Sequence, residues 1–514
     1  MPPTVRPISD EPAHSDPFVR GLSESIGGPL GEHAVRSPAR LPGGSRFWTP
    51  VRIILALVCA VLALHWTQKS PCRDGQWGEL KQYKYFCYTD VLALYYAEHL
   101  NTGAVPYKDH AVEYPVVTGI FMGALGLPVH ALGNAVPGGN EGRAFYDLNA
   151  IVLGALAVAT VGAILAVRRR RPWDAAMFAL APALFISATV NWDLLTVGLT
   201  AMGMAAWARR RPVLAGVLLG LAVGAKFYPL LIFGPMLLLA IRTGRWRDLG
   251  TTFGTALITW LAVNVPIALL WRNSWATFFA FNNQRGIDWG TFWYIGAHFP
   301  RGQGTYGFDW FANLDRDPTH STLNRLYLTL FAVGCVAIAV LALMAPRRPR
   351  LAQLAFLVVA VFLIVGKVWS QQYVLWLIPL AVLARPRWGA FLAWQAAELL
   401  YFVAFYGELM GASGKQVFPE GVFVLASVLR MVTLCVLVGF VVRDILRPEL
   451  DAVRQTYDDD PDGGEFADQP DAPLVDRVRA ILGRPPLRQG AELWSRRSVS
   501  SAEAAPKIDE HVGI

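Results

Sequence analysis

Four carboxylates, Asp90, Glu98, Asp109 and Glu113, lie in the stretch YTDVLALYYAEHLNTGAVPYKDHAVEYP (88–115), beside long apolar runs. A carboxylate held near a bilayer surface can accept a proton as a general base. The bland use of Asp90 is as a helix N-cap, since "TD" precedes the helical "VLALYYAEHL". Asp193, in "NWD" at 191–193, has the same two readings at the end of another apolar run. Three cations could complete a site: Lys226 in "AKFYP", Lys367 in "GKVWSQQY" and Arg285 in "NNQRGID". Each can hold a phosphate by charge-assisted hydrogen bonds. A lysine at the tip of an apolar hairpin can also snorkel to the interface. Glu113, Tyr114, Asp193 and His298 are candidates for orienting an acceptor. His298 and His320 fall in a long polar stretch, where a lone histidine is more often incidental. "DRD" at 315–317 matches a metal-binding DxD only in form, so no metal or other cofactor is expected.

A base, a phosphate-holding cation and aromatic side chains that pack on sugar rings are what sugar transfer from a lipid phosphate needs. The chain has no GxxxxGK[ST], and no GxGxxG between a strand and a helix, to cradle a nucleotide. A lipid-linked donor fits that absence.

The elements that must position these groups are membrane helices. Of 514 residues, 54% are hydrophobic and 16% charged, with a mean hydropathy of +0.36. Soluble chains carry about 25% charge. Only helices satisfy their own backbone in lipid without closing a barrel, and the apolar blocks lack barrel-like alternation. The net charge of +8 resides in arginine blocks between apolar runs, a positive-inside pattern, and no nucleic-acid partner is expected. The fold class expected is all-α and polytopic, with spans near 51–68, 144–167, 173–190, 193–208, 213–225, 227–241, 249–271, 323–344, 351–366, 373–384, 388–407 and 421–442. Segment 114–133 is read as interfacial or re-entrant. If it crossed, the arginines at 168–171 would face outside. Residues 1–46 and 446–514 read as mostly disordered cytoplasmic tails flanking a transmembrane domain over 47–445, with an amphipathic "LVDRVRAILG" in the second. This topology gathers the candidate site residues on the extracytoplasmic face of the plasma membrane. Cys72 and Cys87 lie in the first outer loop and are predicted to pair there, closing a loop worth about 3 kcal/mol in the chain-entropy picture.

The 88–115 stretch resembles the first-loop signature of glycosyltransferase family 87, which holds actinobacterial polyprenol-phosphate-mannose-dependent α-mannosyltransferases of the GT-C membrane fold. The matching residues are Asp90, Tyr95, "LNTGAVPY" at 100–107 and the Tyr114-Pro115 pair. "GAKFYP" at 224–229 is similar to the family's Lys-plus-Pro hairpin, and "KVWSQQYVLWLIPL" at 367–380 to its late "SPQY" segment. The resemblance spans about residues 50–442. It departs at Val116, where a second proline is common, and at "SQQY". It implies an inverting transferase with Asp90 as general base, a polyprenyl-phosphate sugar donor, most simply mannose, and a membrane-lipid or glycan acceptor. Another sugar, such as arabinofuranose or glucose, is the next reading, and a lipid or sugar transporter the reading from another class.

Overall fold

The computed structural model describes residues 16–27, 49–302 and 305–472. Its helices of eight or more residues are α1 (Pro17–Gly27), α2 (Pro50–Gln68), α3 (Asp90–Ala97), α4 (Val116–Leu132), α5 (Glu141–Val167), α6 (Asp193–Ala208), α7 (Pro212–Ala225) and α8 (Phe233–Thr243). They continue with α9 (Trp246–Leu270), α10 (Arg272–Gln284), α11 (Asp309–Arg316), α12 (Ser321–Met344), α13 (Leu351–Val365), α14 (Val374–Ala384), α15 (Trp388–Ala412) and α16 (Glu420–Leu446). The strands among the described residues are two short antiparallel pieces, Pro300–Gly302 and Thr305–Tyr306. The chain is therefore an all-α membrane protein. Among the described residues, seven helices, α2, α4 with the turn after it, α5, α9, α12, α15 and α16, are long and apolar enough to cross a bilayer. The shorter apolar helices, α6, α7, α8, α13 and α14, pack inside the bundle. Almost every residue of α13 and α14 is buried against protein, so these helices need not match the bilayer thickness alone.

Small residues let the backbones approach. Gly216 and Gly220, one turn apart on α7, face α9. A Cβ at either position would lie 2.5 Å from a carbonyl oxygen, that of Thr252 or of Ala256. Close van der Waals packing of this kind holds helices together where lipid removes the hydrophobic drive. α2 starts as its sequence dictates, with Pro50 in the first turn and the Thr49 hydroxyl accepting from the Arg52 amide at 3.3 Å.

Two departures from the expected elements have clear causes. The span anticipated at 173–190 is a chain of short turns, with helices only at Ala176–Ala179 and Pro182–Ser187. Pro182 breaks the helix, and the Gln395 side chain accepts the Ala183 amide at 3.0 Å inside the core. Segment 114–133, read as interfacial or re-entrant, forms a regular helix, α4, that with the turn after it is long and apolar enough to cross a bilayer. It starts where the Thr118 hydroxyl donates to the Ala225 carbonyl at 2.8 Å. It ends beside Gly103, against which His130 packs, and the following Asn140 donates to the Asp74 carbonyl at 3.3 Å. Leu100, Pro106 and Tyr107 of the first loop lie along its glycine face at Gly126, Gly123 and Gly119.

The arginine blocks gather together elsewhere in the bundle, and the described part of the second tail packs on them. Residues 448–472 are not a loose extension of α16. Their acidic side chains seat on buried arginines. Asp462 takes both amino groups of Arg168, at 3.1 and 2.7 Å, and lies 3.4 Å from Arg350. Asp451 pairs with Arg350 at 2.8 Å, Asp459 with Arg348 at 2.8 Å, and Asp471 with Arg242 at 2.7 Å. Gly464 adopts a left-handed φ of 55° and fits directly against the Trp207 backbone, while the Trp207 indole donates to the Gly463 carbonyl at 3.0 Å. Composition reads such an acidic run as solvated. Buried guanidinium groups demand counter-charges, and this run supplies them. The expected tail segments at 1–15, 28–48 and 473–514, the amphipathic "LVDRVRAILG" included, lie outside the described residues. α1 packs by its start on α15, where Asp16 accepts the Trp388 amide at 2.6 Å.

Candidate active site

Asp90 is the first residue of α3, and its neighbour performs the capping. The Thr89 hydroxyl accepts from the Val91 amide at 3.2 Å and donates to the Thr189 carbonyl at 2.5 Å. The N-cap reading of Asp90 is thereby corrected, and its carboxylate is left to face the cavity. The Asp90 amide donates to the Val190 carbonyl at 2.7 Å, and Asn191 Nδ2 donates to Asp90 Oδ2 at 2.8 Å. Burial pushes the Asp90 carboxyl above its ordinary range, while hydrogen bonds from Asn191 and Tyr88 and the charge of Lys226 pull it back. The 189–191 turn is itself fixed from beneath. His65 of α2 and Tyr146 of α5 each lie 2.7 Å from the Thr189 hydroxyl.

Asp193 begins α6 and is fully buried. Its carboxylate lies 3.0 Å from Lys226 Nζ and accepts the Trp376 indole at 2.6 Å. Lys226 closes α7, with its ammonium 5.0 Å from the Tyr373 ring centre and 5.7 Å from those of Tyr114 and Trp376. The NWD stretch thus serves both sides of one site. Asn191 holds Asp90 and the Tyr114 hydroxyl (2.8 Å), and Asp193 holds Lys226.

Asp90, Asn191, Tyr114 and Lys226 line a cavity of about 520 Å³ together with Glu113, Arg285, Lys367, Asp288 and a wall of tyrosine, tryptophan and phenylalanine, whereas Asp193 is buried behind Lys226 and does not line it. Burial, then the charge of Asp90, raises the Glu113 carboxyl above its usual range. Arg285 reaches Asp288 at 3.4 Å and keeps other donors free. Lys367 also lines the cavity, but it donates to the carbonyls of Asn283 and Arg285, at 3.1 and 2.6 Å, and so latches the segment that carries Arg285. His298 stands apart, bonded to the Tyr294 carbonyl at 3.1 Å and 3.8 Å from Glu420. His320 is also elsewhere, next to Asp315. The "DRD" carboxylates serve the backbone. Asp315 accepts the Ile287 amide and Asp317 the Thr319 amide. Among the described residues no three His, Cys, Asp or Glu side chains converge as a metal site. Cys72 and Cys87 are joined by a disulfide that closes the loop just before Asp90.

Sequence reasoning gave no role to Asn191, Tyr88, Tyr373, Trp376 or Asp288. Asn191 stands beside Asp193 in a polar triplet between apolar runs, which was signal enough. The others reach the cavity only because distant segments converge.

A helical membrane bundle encloses these carboxylates, cations and aromatics in one cavity, and comparison with known families finds a match to a family of membrane glycosyltransferases over part of the chain. The model of glycosyltransferase family 87 matches residues 119–368, and the chain is similar to that family over this stretch. That stretch contains Asp193, Lys226, Arg285 and Lys367, and Asp90 precedes it. No curated protein matches the chain.

Proposed function

We propose that the chain is an inverting transferase that moves a sugar, most simply mannose, from a polyprenyl-phosphate donor to a lipid or glycan acceptor on the extracytoplasmic face of the plasma membrane. One observation carries this reading: the Asp90 carboxylate and the Lys226 ammonium line the same cavity, tied together through Asn191 and Asp193. Asp90 takes the proton of the acceptor hydroxyl. The acceptor oxygen forms the new bond to the sugar's anomeric carbon as the bond from that carbon to the phosphate oxygen breaks. Polyprenyl phosphate leaves with the electron pair. It needs no general acid, because Lys226 and Arg285 neutralise its charge. Lysine has three donors, so Lys226 can keep Asp193 and still reach a phosphate oxygen. Lys367 supports the phosphate side through its hold on Arg285. Glu113 and Tyr114 orient the acceptor.

The reading is tested with purified protein, radiolabelled donors and extracted membrane lipids. Transfer is expected from polyprenyl-phosphate mannose and not from a sugar nucleotide. Transfer from a sugar nucleotide alone would overturn it. Transfer from polyprenyl-phosphate arabinofuranose or glucose, but not mannose, would keep the mechanism and change the sugar.

A further inference from the structure

Lys69 follows α2 and is completely buried. Its ammonium has no carboxylate within ion-pair distance among the described residues. It donates instead to two backbone carbonyls, Phe86 at 3.3 Å and Tyr88 at 3.0 Å. A buried ammonium without a paired anion is costly and needs a reason. Both carbonyls belong to the segment that ends in Asp90, and the Cys72–Cys87 disulfide closes the same segment. Asp90 follows two residues after the Tyr88 carbonyl that the ammonium holds, so the backbone grip of Lys69 also brings its charge toward that carboxylate. The other cation that acts on Asp90, Lys226, already lies 3.0 Å from Asp193.

We infer that Lys69 is a positioning residue for the transfer reaction: it fixes the backbone before Asp90 and supplies, from behind, the positive field that keeps the Asp90 carboxylate ionised in a buried site. The inference rests on Asp90 being the base. Burial lowers the Lys69 ammonium to about 7, so it carries its charge throughout the acidic range where the state of Asp90 matters. The other ionisable groups that act on Asp90 are Tyr88, Glu113, Tyr114, Asp193, Lys226 and Tyr406. The carboxylates among them oppose its ionisation, which sharpens the need for a second cation.

The test compares pH profiles of kcat/KM for the wild type, Lys69→Met, Lys69→Gln and Lys69→Arg, with Asp90→Asn as control. Removing the cation raises the Asp90 pKa, so the acidic limb moves to higher pH. The expected shift for Met and Gln is at least about one unit, the low end for an opposite charge nearby, a tenfold loss on that limb with recovery at higher pH. Lys69→Arg should keep the limb in place. A uniform loss at all pH values, or failure of Met and Gln alike to accumulate while Arg does, would mean a purely structural role and overturn the inference. An inactive Asp90→Asn with an unmoved limb in Lys69→Met would overturn it alone. An active Asp90→Asn would overturn the assignment of the base instead.

Discussion

Replacing Lys226 by methionine removes the cation 3.0 Å from Asp193 and leaves that carboxylate with the Trp376 indole as its remaining side-chain donor. The Asp193 side chain is 0% exposed and that of Lys226 11%, so the carboxylate loses its partner away from bulk solvent. Breaking one half of such a buried pair costs about 3–5 kcal/mol. Unfolding entropy scales with chain length, and for a chain of this size it converts that loss into a drop of about 3–5 °C in Tm. The double variant Lys226→Met/Asp193→Asn removes the stranded charge and should recover at least half of the drop. Thermal unfolding in detergent, followed by intrinsic tryptophan fluorescence, reads both values. Donor binding is measured separately at a temperature where all variants are folded. The loss of one charge-assisted contact should weaken polyprenyl-phosphate sugar binding about tenfold or more in the double variant. If Lys226→Met is as stable as the wild type, the Lys226–Asp193 pair does not hold the site together. If the double variant binds donor normally, Lys226 is not a phosphate ligand.

Asp90→Asn retains an oxygen for the Asn191 bond and should bind donor, yet transfer sugar at least about a hundredfold more slowly in a single-turnover assay. In the wild type, ionisation of Asp90 should set an acidic limb of kcat/KM above the ordinary carboxylate range, because burial raises its pKa; activity is lost as pH falls through that limb. Cys72 and Cys87 should resist alkylation in intact membranes until a reductant is added, and labelling without it would refute the bridge in the native protein. Asp462→Ala removes both carboxylate bonds of the buried Arg168 guanidinium, while Arg350 keeps Asp451, and should destabilise the protein by about 3 kcal/mol; Asp468→Ala, at an exposed ion pair, should cost about 0.5 kcal/mol or less, and equal effects in thermal melts would refute the difference.

The sequence by itself determined the class of structure, because the bilayer leaves few choices. Long apolar runs separated by arginines can only become membrane helices, and polar residues kept among them stand out. Asp90, Asp193, Lys226 and Arg285 were legible for that reason, and so was the cysteine pair in a polar loop. Only the tertiary structure decided what each group touches. It assigned the helix cap to Thr89 rather than Asp90, gave Asp193 to Lys226, turned Lys367 toward two carbonyls, and left His298 outside the cavity. It also seated the acidic 451–471 segment on arginines from three distant segments, where composition alone suggested a solvated tail. Burying apolar side chains is a local, additive property that a run of residues reveals. Pairing a buried charge depends on which distant segment arrives beside it, and no spacing along the chain encodes that.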